Sequence, residues 1–243
     1  MKEFELIDRL IPLLPGNKGT LVGAGDDCAV LDVGMPGKLL LFKTDAVVEG
    51  VHFTQDDGWV RVGRKAISRA LSDIAAMAGE PLSALVTLGL PSDFDFKKVK
   101  EIYQGIQERA AMFGVSVSGG ETVRSTQGVF LSISMVGWVP QSRLLLRKNM
   151  RTADALFVTG DLGGSRSGKH LDFIPRIEQA KWLADRFEIH ALMDVSDGLA
   201  GDLQRLIEAS GLGIELLSEA IPVSKEAKKA AQQGGASALN RAL

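Results

Sequence analysis

Five acidic spots stand out along the chain. Four lie at the end of an apolar run or beside glycine: Asp26 and Asp27 in "GAGDDCAVL", Asp45 in "KTDAVV", Glu121 in "SGGET", and Asp194 with Asp197 in "MDVSDG". The fifth, Asp73 in "LSD", falls on a long helical pattern. Strand ends and glycine turns are where α/β proteins place ligand contacts. Carboxylates offer only oxygen, the donor type of a hard cation such as Mg²⁺, which keeps waters and bridges substrate phosphates. One cysteine, Cys28, and three histidines are too few for a typical zinc site. Each acid also has a structural reading. Asp26–Asp27 and Asp45 suit turns, Glu121 suits a loop, and Asp73 suits a surface ion pair with Arg69, four residues earlier. Asp197 suits a helix N-terminus through the dipole. Spacing leaves both readings open, although five such spots together favour a shared site.

Other side chains could join that site. His52 in "EGVHF" follows the Asp45 run, and Arg124 and Arg147 are phosphate clamps by type, with surface arginine as the alternative. The stretch "GGSRSGKH" nearly matches a phosphate-cradling P-loop. It carries His170 where Ser or Thr should supply a hydroxyl to Mg²⁺, and Pro175 interrupts the helix that should follow.

These residues need a frame. Residues 3–14 read as a helix stopped by Pro15–Gly16, and 39–48 as a buried strand running into Asp45. Residues 57–79 place Ile67, Ala70, Leu71, Ile74, Ala75 and Ala78 at helical spacing, with Gly79 and Pro81 as the stop. "SALVTLGLP" reads as a strand, 96–113 as a second helix, and "VSVSGG" and "VFLSISMVGWV" as strands. Polar "RKNMRTAD" (147–154) reads as a connection. A second unit then begins with a strand at "ALFVTG" and continues with a helix near Asp197, capped by Ser196 and burying Leu199, Leu203, Leu206 and Ile207. A strand "GIELL" and a charged surface helix "SKEAKKAAQQGG" follow, and "ASALNRAL" resembles the start of a further element. The reading is one α/β and one α+β domain, 1–146 and 147–243.

Composition bounds the partners. Hydrophobic residues make up 45% and charged residues 24%, as in soluble globular proteins, and the net charge of −2 provides no basic field for nucleic acid or an anionic membrane. A single cysteine excludes an intramolecular disulfide and suits a reducing cytoplasm. No secretory leader and no membrane span are expected.

Taken in order, "GAGDDCAVL", "KTDAVVEGVHF", "RALSDIAAMAGEP", "SGGETVRS" and "MDVSDGLAGDL" closely resemble the thiamine-monophosphate kinases of the aminoimidazole-ribonucleotide-synthetase-like superfamily, over nearly the whole chain. The resemblance implies ATP-dependent phosphorylation of thiamine monophosphate to thiamine diphosphate, by direct in-line transfer with several Mg²⁺ ions. It implies Asp27, Thr44, Asp45, Asp73, Glu121, Asp194 and Asp197 as metal ligands. Gly120, Glu121, Arg147 and Ser196 would contact ATP, and His52 thiamine monophosphate. It also implies a homodimer in which the first domain's sheet pairs with its copy.

Three departures stand against the family pattern. Glu121 replaces an aspartate, and Lys43 replaces a serine before Thr44–Asp45. A Gly-Glu-Asp motif serving the thiamine end is expected beyond Leu243. Two further readings follow: another ATP-dependent activity of the superfamily on a different small molecule, or a non-catalytic nucleotide-binding protein.

Overall fold

The computed structural model describes residues 3–243. The first helix, α1, spans Glu3–Leu10 and gives way to a 3-10 turn at Ile11–Leu13. It is shorter than 3–14 because Pro12 offers no amide N–H and its ring clashes with the preceding turn. Then come β1 (Thr20–Val22), β2 (Ala29–Leu31), β3 (Lys38–Val48), α2 (Trp59–Ala76), β4 (Glu80–Leu90), α3 (Phe96–Met112), β5 (Ser116–Arg124) and β6 (Phe130–Pro140). The strands form one mixed sheet in the order β1-β2-β3-β6-β4-β5. Only β4 and β5 pair in parallel, and α3 is the crossover that a parallel pair requires.

Side chains alternate across the sheet. Leu39, Leu41, Val86, Leu88, Leu131, Ile133 and Met135 pack on Ile67, Leu71 and Ile74 of α2 and on Ile102 and Ile106 of α3. The two helices touch through glycine. A Cβ on Gly63 would lie 2.0 Å from the Ile102 carbonyl oxygen, and one on Gly105 only 1.8 Å from that of Val60. The other face of the sheet is open, with Phe42, Leu85 and Thr44 exposed.

Four helices follow: α4 (Lys169–Asp172), α5 (Ile177–Arg186), α6 (Leu199–Ser210) and α7 (Lys225–Gln232). Both α4 and α5 lie on α2, and Leu171, Ile177 and Ala180 join the first core. No helix was expected at α5; Pro175, read as a breaker, stands just before its start, where proline is tolerated. A second, smaller core gathers Leu162, Leu199, Leu203, Leu206 and Ala242.

The expected strands at 155–160 and 213–217 do not form. Neither finds a ladder partner, and extended backbone without one leaves its polar groups to water. Leu156, Phe157 and Leu217 are accordingly exposed, and a lone Leu162–Val223 bridge is what remains of sheet there. The cap of α6 is Gly198 rather than Ser196, whereas α7 is capped by Ser224, whose hydroxyl accepts from the Ala227 amide. Among the described residues, no helix is long and apolar enough to cross a membrane.

Candidate metal and nucleotide site

Asp27, Asp73 and Asp194 each present a carboxylate oxygen within 4.8 Å of the others. They arrive from three separate places. Asp27 sits in the loop between β1 and β2. Its neighbour Asp26 shapes that loop: one oxygen accepts from the Asp27 amide (3.0 Å) and the other from the Arg147 amide (3.2 Å). Asp73 lies on α2 near the sheet, 3.1 Å from the Lys43 ammonium of β3. Asp194 precedes α6 and accepts from the Ser72 hydroxyl at 2.8 Å, which ties the later segment to α2.

The surface pair Arg69–Asp73 is not made. Asp73 is buried, and Arg69 Nε instead donates to Asp45 at 3.0 Å. Lys43 and Asp45 are two residues apart on β3, so both point toward α2. Thr44, between them, faces the other way, with its hydroxyl 3.3 Å from those of Ser132 and Ser134. Arg147 grips Asp27 through both Nε (3.2 Å) and a terminal nitrogen. The apolar wall behind the cluster includes Cys28, whose amide donates to Met77 Sδ.

Burial dominates the electrostatics. It pushes Asp73 up to about 8; Lys43 opposes the shift, and the charges of Asp194, Asp27 and Asp45 add to it. Burial also raises Asp27, against the Arg147 hydrogen bond, and Asp194, where the charge of Asp27 adds to the effect. Asp73 Oδ2 is buried, and its partner is the Lys43 ammonium at 3.1 Å. Three clustered carboxylates held above their usual range by burial and by one another fit a divalent cation. An all-oxygen donor set suits Mg²⁺, and binding would release their protons.

The other expected residues lie around this centre. Ser196 and Asp197 are exposed, and their amides both donate to Asp202 Oδ2, at 2.9 and 3.1 Å. Asp202 had gone unnoticed in the sequence; its signal is the second acid of "SDGLAGD". Burial raises it to about 6, opposed by those two amides. Gly120 on edge strand β5 approaches β4 so closely that a Cβ would lie 1.8 Å from the Val86 carbonyl oxygen. Glu121 is exposed, and its carboxylate accepts from the next amide, Thr122. It is not among the three clustered acids. Arg124 is exposed at the end of β5.

His52 accepts from the Val48 amide through Nδ1 (3.1 Å). Burial, together with the charges of Arg69 and Lys65, lowers its pKa, favouring the neutral ring. Lys65 went unremarked in the sequence because it sits inside a helix pattern. Its ammonium donates to the His52 carbonyl and lies 2.8 Å from His170 Nδ1. The near P-loop is not built as one. No strand precedes it, α4 has four residues, and the Lys169 ammonium is taken by the carbonyl and carboxylate of Asp161.

Comparison with known proteins gives a consistent picture. Residues 25–139 match the N-terminal domain of AIR synthase related proteins, and 155–238 their C-terminal domain. The thiamine-monophosphate kinase of Rhodopirellula baltica is 40% identical over 230 residues, covering 91% of this chain and 72% of that protein. That of Bacillus subtilis is 31% identical, covering 94% and 77%. A solved structure described as AaThiL complexed with AMPPCP and TMP superposes with a TM-score of 0.89 at 34% identity, covering 99% of this chain and 81% of its own.

Proposed function

The chain belongs to the thiamine-monophosphate kinase family, within the AIR synthase related proteins, and from that premise we propose that it transfers the γ-phosphoryl group of ATP to the phosphate of thiamine monophosphate. The observation that carries the reading is the Asp27–Asp73–Asp194 cluster, two of its carboxylates buried and the third half-buried, assembled from both matched domains. Donor and acceptor both carry negative charge. Bound Mg²⁺ would supply the charge neutralisation that in-line transfer between them needs.

Asp27, Asp73 and Asp194 would hold the metal, with Asp45 and Asp197 as outer ligands nearby. Thr44, turned to the other face of the sheet, and Glu121, on the edge strand β5, stand apart from that centre, so the metal roles the resemblance implied for them do not fit this arrangement. Arg147 exchanges Asp27 for the nucleotide's phosphates, and its planar fork suits both partners. Gly120, which keeps β5 close against β4, would contact the nucleotide through its backbone, and Ser196 would contact it from the second domain. His52, neutral and fixed through Nδ1, presents its other ring nitrogen to the thiamine phosphate. The open sheet face, with Phe42 and Leu85 exposed, is where a second copy pairs, making the cytoplasmic enzyme a homodimer.

The test is incubation with thiamine monophosphate, ATP and Mg²⁺, followed by chromatography of the thiamine phosphates. Thiamine diphosphate and ADP in equal amounts are expected. ATP binding without turnover of this acceptor would overturn the kinase reading in favour of a nucleotide-binding protein. Turnover of another acceptor alone would place the chain elsewhere in the superfamily.

A further inference from the structure

The carboxylates of the site already have cations of their own. Asp27 is held by Arg147, Asp45 by Arg69 and Asp73 by Lys43, while Asp194 has the Ser72 hydroxyl. The three cations are not equivalent. Arg147 stands on a 3-10 turn and Arg69 on α2, and the planar fork of each suits a phosphate as well as a carboxylate. Lys43 is in the middle of β3, opposite Met135 in a continuous ladder. Its side chain is 25% exposed and that of Asp73 9%. Its ammonium rests on Asp73 Oδ2, a buried oxygen that takes no other hydrogen bond among the described residues. Asp45 and the buried Cys28 also lie within reach of its charge.

An ammonium is a compact point charge of about the size of a small cation. Placed against that oxygen, it holds the position and part of the charge that a divalent ion would bring there. A divalent ion set against the same oxygen would meet the ammonium at contact range, where burial leaves little water to screen the repulsion.

We propose that the Lys43 ammonium is a resident cation of the Asp27–Asp73–Asp194 cluster, occupying the place of one divalent ion, so that this chain binds one divalent ion fewer than its carboxylates alone would hold. The inference rests on the metal-dependent reading above. Lys43 is thus a positioning residue: it holds Asp73 aimed at the cluster and sets how many metal ions the carboxylates share.

The experiment is a Mn²⁺ titration of the full chain with AMPPCP present, free Mn²⁺ being counted by its electron paramagnetic resonance signal. Wild type is compared with Lys43→Met, Lys43→Ser and Lys43→Arg. The Met and Ser variants are expected to take up one more equivalent of Mn²⁺ per chain than wild type, and the Arg variant the same number. Equal counts in all four, or no uptake by any, overturn the proposal. If the Met variant is unfolded without metal, Mn²⁺ should fold it, as read by far-ultraviolet circular dichroism; a variant that stays unfolded in excess Mn²⁺ also overturns it. Thiamine diphosphate formation, measured on the same samples, reports separately on the kinase reading.

Discussion

The sheet unit of residues 20–140 and the segment from 155 onward contribute to one site from very different foundations. The first buries whole rows of aliphatic side chains between a six-stranded sheet and two helices. The second lends α4 and α5 to that core, but around α6 it gathers only a handful of leucines and leaves Phe157 87% exposed. Asp27 and Asp73 stand on the rigid side, and Asp194 stands on the thin one. Stability and ligand geometry are therefore separable: the sheet unit sets where the cluster is, and the later segment sets whether it is complete. The Ser72–Asp194 hydrogen bond joins them at the cluster, beside the packing of α4 and α5 on α2.

The comparison can be broken most forcefully in the large core. Ile74→Ala should cost about 2–5 kcal/mol, the usual range for emptying a fully buried site, with cooperative loss of both regions in denaturant unfolding. Loss of α6 alone would contradict the asymmetry. Leu203→Ala, in the small core, should cost about 2 kcal/mol and act locally. Amide exchange should quicken through α6 and the segments packed on it while the α5, β3, β4 and β6 amides keep their protection; uniform quickening would make the two cores one cooperative unit.

Smaller per pH unit is an electrostatic effect. Folded Asp73 keeps its proton to about 8, against an ordinary 3.8 when unfolded. Between those values the folded state binds more protons, so metal-free stability falls as pH rises, by up to about 1.4 kcal/mol per pH unit. Asp73→Asn should flatten that slope in thermal melts, and Mg²⁺ should oppose it in the wild type. A slope unchanged in the variant would locate the titration in another group. Last, Ser72→Ala removes one hydrogen bond to a carboxylate, worth up to about 1.5–3 kcal/mol and less where water replaces it. It should weaken Mn²⁺ binding by about tenfold with the sheet unit's melt unchanged. Unaltered Mn²⁺ affinity would show that Asp194 needs no tether.

Much of the sheet unit was legible beforehand. β3, β4, β6, α2 and α3 carry long periodic patterns of buried residues, and periodicity is what burial writes into a sequence. The three-residue strands β1 and β2 were hidden, being too short to show a period. Strands at 155–160 and 213–217 were expected from apolar runs, but a run states only that a segment would pair if a partner strand were present. Asp202 was missed for a related reason: a carboxylate that caps a loop from inside a helix looks like any surface acid.

The residue types and their order settled the chemistry on offer: oxygen donors at glycine turns, a histidine after the Asp45 strand, and too little cysteine and histidine for zinc. They also placed the helices and central strands, since side-chain alternation is a local property of the backbone. Pairings were decided elsewhere. That Arg69 turns to Asp45, that Lys43 takes Asp73, that Thr44 faces away and that Asp194 meets Asp27 across 167 positions of chain depend on which elements pack together. Only the folded molecule brings those charges within a few ångströms, and its burial of Asp27, Asp73 and Asp194 makes their protons hard to remove.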